Sequence, residues 1–138
     1  SDAEKYETFE FHGNARRFEL GYPSYPTVYA LEFATGLLLE VGVERISQHI
    51  LALGESVLEL LGTLGLTVTT PADPHRRAGN ISFLCDHAER IAGELYEKGV
   101  YLMGSDGRVR ISVGAFNDSE DIRRLGELLP PIIRGDKR

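Results

Sequence analysis

Between residues 46 and 64, Ile46, Ile50, Leu53, Val57, Leu60, Leu61 and Leu64 recur at intervals of three and four. That period puts them on one stripe of an α-helix. Glu44, Arg45, Gln48, Glu55 and Glu59 fall mostly on the other side, and Gly65 is a suitable stop. The stripe reads as core. An earlier helix is predicted over residues 27–41, entered through Pro23 and Pro26 and ended by Gly42. Its apolar residues Val28, Leu31, Phe33, Leu37, Leu38 and Val41 surround much of its circumference, which predicts burial on more than one side, between a sheet and another domain.

The rest of the chain alternates at shorter period. Residues 66–70 read as a strand stopped by Pro71, and residues 71–79 as a polar loop. Ile81, Phe83 and Cys85 form the inward set of a second strand. Asp86 and Glu89 resemble a capping box. Ala88, Ile91, Ala92, Leu95 and Tyr96 give the helix that follows an apolar face. Residues 100–103 predict a short strand, and Ser105, Asp106 and Gly107 supply turn chemistry. In residues 107–113, Val109, Ile111 and Val113 alternate with Arg108, Arg110 and Ser112, so Arg110 and Ser112 face away from the core. Residues 117–119 can cap a last helix, packed by Ile122, Leu125, Leu128 and Leu129 and ended by Pro130 and Pro131. Residues 6–11 alternate weakly and suit either a linker or a strand. The expected fold is α+β: two long N-terminal helices, then a small, mainly antiparallel sheet of three or four strands with helices on one face. Expected boundaries are a tail or linker over residues 1–14, one domain over 15–134, and a charged tail over 135–138.

Composition narrows the function classes. With 138 residues and 42% hydrophobic residues, the chain suits one domain with a substantial core. A net charge of -6 argues against nucleic acid as a partner; Arg76 with Arg77 and Arg123 with Arg124 are isolated pairs and not a stripe. No apolar run approaches the ~20 residues that span a bilayer, so no membrane partner is expected. The polar start lacks a secretory pattern. Cys85, the single cysteine, excludes an internal disulfide framework and a multi-cysteine zinc site, and fits a reducing cytoplasm. It reads as a buried, inert thiol. The histidines at 12, 49, 75 and 87 share no metal-ligand spacing, so no metal is expected.

Several segments carry a resemblance. They are residues 15–26, Ala30 to Glu32, 42–46 with His49 and Ile50, 79–83, 95–100, 107–113 and 116–122. In this order, over about residues 15–129, the set resembles the small C-terminal domain of pyridoxal-phosphate-dependent class V aminotransferases. That group includes cysteine desulfurases, kynureninases and isopenicillin-N-epimerase-like enzymes. The resemblance implies pyridoxal phosphate as cofactor, an amino-acid substrate and a homo-oligomer. It implies that Arg110 binds the substrate α-carboxylate and that Asn117 is structural, through capping and loop closure. Arg108 reads as a solvated side chain. The turn at Gly21, Tyr22 and Ser24 corresponds to an element near the cofactor phosphate, and Arg17 reads either as orienting it or as a surface arginine. Tyr22 stands where many members carry threonine or serine, so Ser24 or backbone amides are the remaining donors there.

The resemblance also marks what this chain does not supply. A Schiff-base lysine is required. Lys5, Lys98 and Lys137 lie in a polar tail, at a predicted helix end and in a charged tail. In the family, that lysine and the carboxylate facing the pyridine nitrogen belong to a large domain, expected to precede Ser1. No catalytic residue is expected here, and the chain alone is expected to be inactive. Residues 103–107 hold no cysteine where desulfurases keep a mobile one, which disfavours that reaction. The alternative is a free-standing ligand-binding or protein-interaction module that kept the fold without the chemistry.

Overall fold

The computed structural model describes residues 10–19 and 21–135. The weak alternation at 6–11 falls largely outside them, as do Lys5 and Lys137. The chain divides into two compact units, Ser1–Glu40 and Val41–Arg138.

In the first unit, a 3-10 turn at Ala15–Phe18 is capped by Asn14, whose Oδ1 accepts from the Arg16 amide at 3.0 Å. Helix α1 runs over Tyr25–Val41. Its apolar residues do surround it, but none is buried: Leu31 is 66% exposed and Phe33 77%. This corrects the expected burial on several sides. Such a surface becomes core only when something outside the unit covers it.

The second unit contains the rest: α2 (Val43–Thr63), β1 (Asn80–Leu84), α3 (Ala88–Tyr96), β2 (Met103–Ser105), β3 (Arg108–Ser112) and α4 (Ser119–Arg134). The three strands are antiparallel in the order β1-β3-β2. Helix α2 packs on β1 and α4, and α3 packs on β2, β3 and α4. One face of the sheet is therefore covered. Leu53, Val57 and Leu61 from α2 meet Ile81 and Phe83 from β1, Ile91 and Leu95 from α3, Val109 and Ile111 from β3, and Leu125 and Leu129 from α4. The α+β class and the antiparallel sheet agree with the sequence expectation, and so does the α2 stripe.

Several elements differ from the pattern. Residues 66–70 form only a bridge between Val68 and Phe83, supported by the Thr69 amide to Ser82 O (2.8 Å) and the Leu84 amide to Thr67 O (2.9 Å). Helix α2 is closed by the Leu66 amide bonding back to Leu61 O, and Pro71 follows, leaving no length for a ladder. The strand expected at residues 100–103 begins at Met103, because the Val100 amide still closes α3 through Leu95 O at 2.9 Å. Asp86 makes no capping box, since α3 starts at Ala88 with His87 as N-cap. Tyr96 is exposed and meets Tyr101 edge-on at 5.1 Å. Helix α4 continues through Pro130 and Pro131 to Arg134. Proline deletes ladder bonds, but Leu129 and Ile132 both enter the core, and that burial holds the last turn.

Sequence periodicity gave no sign of Arg77. Its side chain is 1% exposed and clamps the loop after α2 to that helix. It donates to Glu55 Oε2 at 2.5 Å, to Ala72 O at 3.3 Å and to Leu51 O at 3.5 Å. Gly54 leaves room for it, since a Cβ there would lie 2.8 Å from Arg77 Nη1.

Candidate functional site

The uncovered face of the sheet carries Arg108, Arg110 and Ser112. Strand β3 alternates strictly, with Val109 and Ile111 buried and Arg108, Arg110 and Ser112 exposed. It is the central strand, held by ladders on both sides. Arg110 lies between Ser82 of β1 and Met103 of β2, its directly opposed partners. Directly opposed residues project to the same face. Arg108 is flanked in the same way by Leu84 and Ser105. Ser82, Met103, Ser105, Asp106, Arg108 and Arg110 line a hollow of about 380 Å³. Arg110 forms no ion pair with any described residue, so its guanidinium fork is free to receive an anion. Ser112 is engaged elsewhere, its Oγ donating to Asn80 Oδ1 at 2.7 Å.

Beyond β3, Asn117 organises the turn into α4. Its Oδ1 accepts from the Gly114 amide at 2.9 Å, and its Nδ2 donates to Asp121 Oδ2 at 2.9 Å. Its carbonyl accepts from His49 Nε2 at 2.8 Å. A carbonyl only accepts, so Nε2 is the protonated ring nitrogen. The helix cap itself falls on Asp118, whose Oδ1 accepts from the Glu120 and Asp121 amides, while Asp121 Oδ2 accepts from the Asp118 amide. The tie from α2 to this turn joins residues 68 apart in sequence, which no local pattern displays.

The hydrogen bond from Asn117, then that from the Asp118 amide, hold the Asp121 carboxyl below its ordinary value. A depressed folded-state value stabilises the fold above the ordinary carboxylate pKa, and that contribution is lost as pH falls through the folded value. The turn after β3 is therefore expected to loosen below about pH 4. In chemical denaturation, Asp121→Asn should show a smaller loss of stability between pH 6 and pH 3 than the parent chain. Equal losses would mean that other carboxylates set the acid response.

The turn at Gly21, Tyr22 and Ser24 lies in the first unit. Gly21 has φ 128°, a conformation that side chains disfavour. Tyr22 is 94% exposed and meets Tyr25 edge-on at 6.4 Å. Ser24 immediately precedes α1, its carbonyl accepting from the Val28 amide and its Oγ sharing a 2.9 Å hydrogen bond with Thr27 Oγ1. Arg17 stands over the Phe18 ring at 5.3 Å, a local cation–π contact.

For a cofactor aldehyde, the decisive group is lysine. Lys98, the described lysine, lies just past the end of α3, and its carbonyl accepts from Arg124 Nη2 at 2.6 Å. It does not stand in an apolar pocket of the kind that makes a lysine amine reactive. Cys85 is half-buried just past β1 and packs against the core, its amide donating to Gly107 O. Among the described residues no cluster of His, Cys, Asp or Glu suits a metal ion, and no single helix is long and apolar enough to cross a membrane.

Residues 2–125 match the model of one protein family, described as Aminotransferase class-V. This chain belongs to that family. An uncharacterized aminotransferase of Schizosaccharomyces pombe is 29% identical over 119 residues, which is 86% of this chain and 30% of that protein. The chain thus spans about a third of the length of that relative. The apo structure of a cysteine desulfurase from Thermococcus onnurineus NA1 superposes with a TM-score of 0.80 at 20% identity, covering 92% of this chain and 36% of the other. That likeness concerns the fold. A mutant of C-DES with glycine covalently linked to its PLP cofactor is 25% identical, with a TM-score of 0.72, over 83% of this chain and 31% of that one.

Proposed function

We propose that this chain is the C-terminal part of a longer pyridoxal-phosphate-dependent enzyme that acts on an amino acid, and that Arg110 receives the substrate's α-carboxylate. The observation that carries the reading is the placement of Arg110: exposed, central in the sheet, without an acidic partner among the described residues, and opening into a hollow with Ser82. Family membership and the PLP-bearing neighbour support the cofactor assignment. The bare apolar surface of α1 supports a covering domain or second subunit.

In this reading the cofactor supplies the electron sink when bound. The chain supplies orientation. Two parallel N–H donors fix both the position and the plane of a carboxylate, which aligns the bond to be broken before reaction. The ladders on both sides of β3 hold the backbone of Arg110 in place. The turn at Gly21, Tyr22 and Ser24 is the part offered toward the cofactor phosphate, through backbone amides or the Ser24 hydroxyl.

The test compares the longer protein with residues 1–138 alone. The longer protein, detected in cells with an antibody to this chain, should be several times heavier, retain pyridoxal phosphate through gel filtration, and consume an amino acid. The isolated chain should do neither. A native species of this chain's own mass, without cofactor, would defeat the enzyme reading.

A further inference from the structure

The chain carries a net charge of -6, and several of its arginines have acidic partners. Arg16 pairs with Glu19, Arg77 with Glu55, Arg90 with Glu94, and Arg123 with Glu120 and Glu127. Arg108 and Arg110 stand beside one another on the open face of β3, and neither forms an ion pair with a described residue. Asp106 lines the same hollow and pairs with neither. Residues two apart on a strand project to the same face, with their Cα atoms about 7 Å apart. Each guanidinium also has a hydroxyl directly across the ladder: Ser82 opposes Arg110, and Ser105 opposes Arg108. The hollow thus holds two similar half-sites, each an arginine beside a serine.

We propose that Arg108 with Ser105 forms a second carboxylate subsite, so that the substrate is an amino acid whose side chain ends in a carboxylate. This rests on the reading of Arg110 given above. Two cations side by side repel, and a ligand with two negative ends relieves both at once, whereas a monocarboxylate leaves one uncompensated. A single bulky anion shared between the arginines would not use the separated hydroxyls.

The test uses the full 138-residue chain and follows the arginine Nε–H resonances by NMR during titration with acetate, glutarate and inorganic phosphate. Glutarate should shift both Arg108 and Arg110 and bind roughly tenfold tighter than acetate, the equivalent of one added charge-assisted contact at an exposed site. Arg108→Gln should lower glutarate affinity about tenfold, to that of acetate. Backbone amide spectra confirm that the variant is folded. Equal affinities for acetate and glutarate, with Arg110 still shifted by both, would overturn the second subsite and leave the first. Phosphate shifting Arg108 where glutarate does not would also overturn it. If no carboxylate shifts Arg110, the reading beneath falls as well.

Discussion

Replacing Arg110 with alanine in the longer enzyme is expected to lower kcat/KM for its amino-acid substrate by about 100-fold and to leave cofactor retention unchanged. The bidentate pair comprises two charge-assisted hydrogen bonds, each contributing about 1.5 kcal/mol. Their sum, about 3 kcal/mol, corresponds to that factor in rate. Arg110→Lys keeps the charge and loses the planar fork, so it should recover only about tenfold of the loss. The side chain is exposed, so neither change should unfold the sheet. Steady-state kinetics with both variants checks this, together with the visible absorbance of the bound cofactor. Kinetics equal to the parent would remove Arg110 from the substrate site.

A second large effect is structural. Gly104, in β2, passes against the start of α3, and a Cβ added there would fall inside the Ala88 carbonyl oxygen and close upon the Ala92 methyl. The obstacle is backbone held by helix and ladder, so it cannot turn aside. Gly104→Ala is expected to destabilise the second unit by about 3 kcal/mol. That is a fall in Tm of about 15 °C for a unit of this size. Gly107 gives the contrast. It has φ 70° and open space around its Cβ position. Gly107→Ala meets backbone strain alone, about 1 kcal/mol. Thermal unfolding of the two variants separates the mechanisms. Equal, small shifts would mean that β2 moves freely away from α3.

The helical stripe of α2 and the alternation of β3 were legible because each is a local period tied to burial. Leu53, Val57 and Leu61 could face only one way, and so could Val109 and Ile111. The exposed side of β3 followed at once, and Arg110 with it. Legibility failed where the deciding partner is distant. Residues 66–70 alternate like a strand, but the bonds that end α2 consume their start. Pro130 and Pro131 read as a stop, yet the helix runs past them to Arg134 with Ile132 buried in the core. The apolar residues of α1 predicted burial that the described residues do not provide, because composition shows what a surface favours and not what lies against it. Arg77 and the tie from His49 to Asn117 join segments that composition cannot bring together.

The strand order β1-β3-β2 has a consequence for how the polypeptide is made. The middle strand is the last of the three in sequence, so until Arg108–Ser112 has been synthesised β2 has no ladder partner and β1 has only its short bridge to residues 67–69. When Asn80–Leu84 leaves the ribosome, Ile81 and Phe83 have the α2 stripe and the Val68 bridge to shelter against. Both ladders then close together around the same five residues. The arginine that we assign to the substrate is therefore set in place by the step that completes the sheet, and a chain stalled before that step has neither.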